Sequence, residues 1–228
     1  MTLIISLLSK DFSVQLSDRR LTSASGIVTD ESNKAVVWVT PQGRLVMGYS
    51  GLAMVEGKSV LDRAMEILAG AGEPDYDIQS MIRRFADRIG ESFQAPNFTA
   101  VDPKFRATSF HFIGHLRTEV PLPVAFYVSN WHDPANHQEC WPPGAHFRVS
   151  GGLLAEPSGN PYMVLPLGTH RHIGHEAYEP LADMLEQGRP PEALVGKGVD
   201  DARVGTTKGS PQLDRTSDQL CHTPGRPV

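Results

Sequence analysis

Apolar side chains in the first fifty residues fall into short runs and alternations, not helical stripes. Leu3–Leu8 is apolar and rich in isoleucine, Phe12–Ser17 alternates as Phe-Ser-Val-Gln-Leu-Ser, and Ser9-Lys10-Asp11 between them is a short polar turn. A period of two predicts a β-hairpin whose first strand opens the chain. Asp18-Arg19-Arg20 interrupts with three charges, and Ala35–Thr40 with Arg44–Ser50 predicts a second strand pair around Pro41-Gln42-Gly43. The period then changes. From Leu52 to Leu68 the apolar positions 54, 55, 61, 64, 65 and 68 have helical spacing, and Ile78, Met81, Ile82, Phe85 and Ile89 predict a second amphipathic helix. The wet face of that helix carries Arg83, Arg84, Asp87 and Arg88.

Beyond a loop with Pro96 and Pro103, Ser109–Ile113 and Val124–Ser129 read as strands, and Phe147–Ser150 and Tyr162–Leu165 as weaker ones. Ala177–Gln187 reads as a helix stopped by Gly188, and Pro190-Pro191 opens a last helix running to about Val204. Strands on both sides of a helix pair imply two packed sheets with helices on their outer faces, an α+β organisation. The expected domain is 1–205. Residues 206–228 are rich in Thr, Ser, Pro and Gly and are expected to be a poorly ordered tail.

Composition removes several function classes. The 228 residues are 40% hydrophobic and 21% charged, with a net charge of −5, so no basic footprint for nucleic acid is present. No apolar stretch has the length of a membrane span, and the N-terminal run lacks the basic flank of a signal peptide. Cys140 and Cys221 are too few for a disulfide framework and form no metal-type pair, which favours a reducing, cytoplasmic setting.

Met1-Thr2 carries the first chemistry. A small second residue allows removal of the initiator Met, which leaves a hydroxyl and a free α-amine on one threonine. An unperturbed α-amine has a pKa of about 7.7–8.0, so part of it is neutral near pH 7 and can take the hydroxyl proton. Asp18 lies 16 residues after Thr2, Lys34 32 after it and Gly48 46 after it, each at a strand end or within a strand. Ser17-Asp18-Arg19-Arg20-Leu21-Thr22, Asn33-Lys34-Ala35-Val36-Val37 and Val46-Met47-Gly48-Tyr49-Ser50-Gly51 resemble the proteasome β subunits and their bacterial relatives, over roughly residues 2–70.

The resemblance implies a four-layer αββα sandwich of the N-terminal-nucleophile (Ntn) hydrolase type and a threonine-type endopeptidase. Thr2 would be the nucleophile. Lys34 would disfavour the ammonium form of its amine, Asp18 would hold Lys34, and the Gly48 N–H would serve the oxyanion. Leu21–Thr22 and Gly48–Ser50 would pair with an extended peptide, and Leu21, Ser32, Val36, Val46, Ser50 and Met54 would line an apolar specificity pocket. It further implies a peptide or unfolded-protein substrate, homo-oligomeric rings or stacks, an ATP-dependent unfoldase as possible partner, and no metal or organic cofactor. Two rivals share the scaffold: an Ntn amidase acting on a small amide, and a non-catalytic structural subunit.

The family's later motifs match less well. Its active-site serine could be Ser150 or could be replaced at Gly168-Thr169, and Asp200-Asp201-Ala202-Arg203-Val204-Gly205-Thr206 stands nearest its Asp-x-x-Ser with the wrong spacing. His170, His172 and His175 with Glu176, and His132, His137 and Cys140, lack the spacing of metal motifs and read as loops. Trp131 and Trp141 read as packing residues.

Overall fold

Backbone pairing turns these segments into antiparallel sheets. The computed structural model describes residues 3–18, 21–23, 26–29, 32–55, 58–71, 77–94, 96, 100–133, 138–139, 142–154, 162–168 and 178–196. The strands of the first half are β1 (Leu3–Leu8), β2 (Ser13–Ser17), β3 (Leu21–Ser23), β4 (Gly26–Thr29), β5 (Ala35–Thr40), β6 (Gly43–Ser50), β7 (Met54–Val55) and β8 (Lys58–Ser59). Helices α1 (Val60–Ala71) and α2 (Ile78–Gln94) follow. Then come β9 (Ser109–Leu116), β10 (Leu122–Ser129), β11 (His132–Asp133), β12 (Gln138–Glu139), β13 (Arg148–Leu153) and β14 (Met163–Gly168). Helix α3 (Glu179–Glu186) ends at Gly188, whose φ of 65° suits glycine, and residues 191–196 are again helical.

One sheet has the order β14-β1-β2 and the other β13-β10-β9-β6-β5. The β1–β2 turn is closed by the Ser9 hydroxyl, which accepts the N–H groups of Asp11 (3.2 Å) and Phe12 (3.1 Å). Strand β1 is apolar on both faces because both are covered. Ile5 and Leu7 pack with Leu181 and Leu185 of α3 and with Leu194, whereas Leu8 packs with Ile113 and Ala125 of the other sheet. Helices α1 and α2 cover the opposite face of the five-stranded sheet, where the Phe85 ring meets Phe110 and Phe112 edge-on at centroid distances of 5.1 Å.

Two expectations change. The helix read over Leu52–Leu68 begins only at Val60. The Ser59 hydroxyl accepts the Asp62 N–H (3.2 Å) as an N-cap, and Met54–Val55 pairs with Lys58–Ser59 as a small hairpin instead of a first helical turn. Gly51, with φ of 131°, turns the chain just before it. The β3–β4 hairpin lies where the sequence pattern indicated no element. The tail read over 206–228 lies outside the described residues.

Candidate active site

Strand β2 ends at Ser17, and the next residue turns its carboxylate back onto the start of β1. Asp18 N–H donates to the Leu3 carbonyl (3.0 Å), and Leu3 N–H donates to Asp18 Oδ2 (2.9 Å). The other carboxylate oxygen, Oδ1, forms an ion pair with Lys34 Nζ. Lys34 is 1% exposed and Asp18 35%. A charge so deeply buried is tolerated only when paired, and the short anionic partner reaches it from the edge of solvent. Lys34 immediately precedes β5, and its carbonyl accepts the Tyr49 N–H (3.1 Å), which ties the segment to β6 beside Gly48. Burial pushes the Tyr49 phenol up to about 12, with the Asp62 charge adding to it.

Asp18 and Lys34 are therefore brought together next to Leu3. Thr2 lies outside the described residues, but its carbonyl carbon is bonded to the Leu3 nitrogen that Asp18 holds. Gly48 lies opposite Ala35 on one side and His111 on the other. Because the Tyr49 N–H points to Lys34 on the β5 side, alternation along the strand turns the Gly48 N–H towards β9. An oxyanion role for that N–H is not carried by this arrangement. What the missing side chain does instead is admit the Gln15 amide: a Cβ at position 48 would stand 2.6 Å from Gln15 Cδ and 2.7 Å from its Nε2.

The residues read as one specificity pocket do not share one wall. Val46 packs in the layer between the sheets, whereas Val36 packs with the helix-side core on the other face. The period of two explains this, since Val36 pairs with Met47 and not with Val46. Ser50 is half-buried opposite Ser109, Met54 is 47% exposed in β7, and Ser32 is half-buried ahead of Lys34. Leu21 and Thr22 pair with Thr29 and Ile27 in the β3–β4 hairpin, and their side chains lie outside the described residues.

Ser150 stands in β13 opposite Tyr127, which is opposite His111, which is opposite Gly48. Three strand spacings, about 14 Å, separate it from Gly48. Gly168, by contrast, ends β14 directly opposite Leu3, while Thr169 lies outside the described residues. So do Asp200–Thr206, His137, Cys140, Trp141, and His170, His172, His175 and Glu176. Among the described residues no three His, Cys, Asp or Glu side chains are grouped to hold a metal.

A buried polar set has little signature in the sequence. Gln15 Nε2 donates to Ser6 Oγ (2.9 Å), and Ser6 Oγ is 3.3 Å from His111 Nδ1 across the sheet-to-sheet gap. The one signal for it was Ser6, the polar break in the apolar run Leu3–Leu8. Further along β9 and β10, Ser109 Oγ contacts Tyr127 Oη (3.1 Å) and Ser129 Oγ (2.9 Å) and accepts from Trp131 Nε1 (2.8 Å).

No family model matches the chain, and no curated protein matches it. Among solved structures it is similar to the Anbu (Gly-1) mutant from Hyphomicrobium sp. strain MC1, with a TM-score of 0.49 and 16% identity. It is also similar to the helical assembly of the Anbu complex from Pseudomonas aeruginosa (0.48, 14%) and to Anbu (ancestral beta-subunit) from Yersinia bercovieri (0.44, 12%). Each similarity covers 90% of this chain and 73% of the other.

Proposed function

We propose that the chain is a threonine-type hydrolase of peptide bonds, with Thr2 as the nucleophile after removal of Met1. One observation carries this reading. A single carboxylate, Asp18, holds both the buried Lys34 ammonium and the backbone N–H of Leu3, the residue that follows Thr2. A fixed cation beside the chain start is what an N-terminal amine needs in order to act as a base. Lys34 makes the ammonium form of the Thr2 amine less favourable, so more of the amine is neutral at pH 7. Asp18 in turn supplies the buried Lys34 with its counter-charge.

In the proposed reaction Thr2 Oγ attacks the scissile carbonyl carbon while its proton passes to the Thr2 amine. The C–N bond then breaks, the leaving amine takes that proton, and an ester to Thr2 remains. A water, deprotonated by the same amine, hydrolyses the ester and returns the threonine hydroxyl. The packing of helices outside two facing sheets supports a four-layer αββα sandwich of the Ntn type. By the sequence resemblance of residues 2–70 to the proteasome β subunits, the substrate is a peptide or unfolded protein, and the chain works in a ring or stack to which an ATP-dependent unfoldase could deliver it.

A second reading, a non-catalytic subunit on this scaffold, is favoured by one observation: the Gly48 N–H is turned into the β6–β9 ladder. Intact mass before and after incubation with a peptidyl epoxyketone separates the two. The warhead requires a free α-amine and the neighbouring hydroxyl. Loss of Met1 with one adduct per chain, absent in Thr2→Ala, is the expected result. Retained Met1, or a trimmed chain that never reacts, overturns the hydrolase and leaves the structural subunit.

A further inference from the structure

We propose that Gln15 is a positioning residue: its amide, seated on the bare Cα of Gly48, sets the two sheets at the offset that lets Asp18 reach Lys34. This rests on the reading of Lys34 and Asp18 as the partners of the nucleophile. Asp18 belongs to the end of β2 and Lys34 to the start of β5, so their ion pair crosses from one sheet to the other. Three residues before Asp18, Gln15 crosses the same gap to Gly48, the neighbour of the Tyr49 whose N–H holds the Lys34 carbonyl. Two struts thus join the same two pieces of chain.

The Gln15 strut is held at its tip. Nε2 donates to Ser6 Oγ (2.9 Å), and Ser6, fully buried, contacts His111 Nδ1 (3.3 Å) on the strand next to β6. The amide therefore cannot swing aside freely to admit a side chain at position 48. Its Oε1 is buried without a hydrogen-bond partner among the described residues, a destabilising arrangement that an apolar side chain would avoid. A half-satisfied buried amide at this point fits a residue whose use is placement.

The test uses the full chain and two readouts. Lys34 acylation by an amine-reactive reagent is mapped by mass spectrometry, with exposed Lys10 as the internal reference, and the rate of epoxyketone adduct formation is followed in parallel. In the wild type Lys34 reacts far more slowly than Lys10. Gln15→Ala is expected to raise Lys34 labelling and to lower the adduct rate, each by about tenfold, well below the melting temperature. Gly48→Ala, which evicts the amide, is expected to do the same. The double variant, whose new methyl occupies the vacated place, is expected to recover to within about twofold of the wild type, a non-additivity that general destabilisation would not produce. Lys34 labelling as slow as the wild type's in Gln15→Ala overturns the proposal, whatever the adduct rate. So does a double variant that is simply the sum of the singles. If Gly48→Ala does not fold, Gln15→Ala alone decides. If the wild type forms no adduct, the hydrolase reading fails, and Lys34 labelling still decides what Gln15 does.

Discussion

Lys34 is the side chain on which the proposed site turns. Lys34→Ala leaves the Asp18 carboxylate with its Leu3 bond and part of its water, since Asp18 is 35% exposed. The expected loss of stability in urea unfolding is therefore about 3 kcal/mol, at the low end for a broken buried pair. Adduct formation at Thr2 should fall below detection in the same variant. Tyr178 makes the opposite case. Its hydroxyl is buried without a hydrogen-bond partner among the described residues, and burial pushes its phenol up to about 12. Tyr178→Phe removes an unsatisfied group while keeping the ring on Leu181 and Ile5, and is expected to stabilise by about 1 kcal/mol in thermal unfolding.

Among the elements, α2 has the clearest sequence signature and a side-chain cap at its start. Asp77 accepts the Ser80 N–H (2.9 Å) and hydroxyl (2.8 Å), and these bonds hold its carboxyl below the usual range. A lowered folded pKa stabilises above the unfolded value and is lost as pH falls through the folded one. Asp77→Ala should therefore cost about 1 kcal/mol at pH 7 and progressively less in acid, because the cap it removes is protonated there in both states. The other end of the α2 argument is its buried face. Phe85→Ala, which empties the space between Phe110 and Phe112, should cost about 4 kcal/mol in urea unfolding. Helix α1 began later than its apolar spacing suggested because Met54 and Val55 satisfy a short hairpin as well as a helical stripe. The Ser59 cap decides between them.

For the whole molecule, buried phenols are expected to weaken the fold at alkaline pH. Tyr49 and Tyr178 are each pushed up to about 12, and burial also raises Tyr127. Below about pH 10 these groups are protonated folded and unfolded alike. Above it the unfolded chain releases protons that the folded chain keeps, so stability should decline between about pH 10 and 12. Urea midpoints measured at pH 9, 10 and 11 check this, and Tyr178→Phe should make the decline shallower.

The sequence by itself determined the strands β1, β2, β5, β6, β9 and β10 and the helix pair, and its resemblance to the proteasome β subunits singled out Asp18 and Lys34. The elements are local matters, written in periods of two and 3.6. Which residues face one another was decided only by the tertiary structure. Register placed Val36 and Val46 on opposite faces, turned the Gly48 N–H to β9, set Ser150 three strands from Gly48 and brought Gly168 to Leu3. A shift of one residue in pairing reverses every such facing without altering a single periodicity. The Gln15–Gly48 contact is of the same kind, since it joins residues 33 positions apart across two sheets and has no signature in either segment alone.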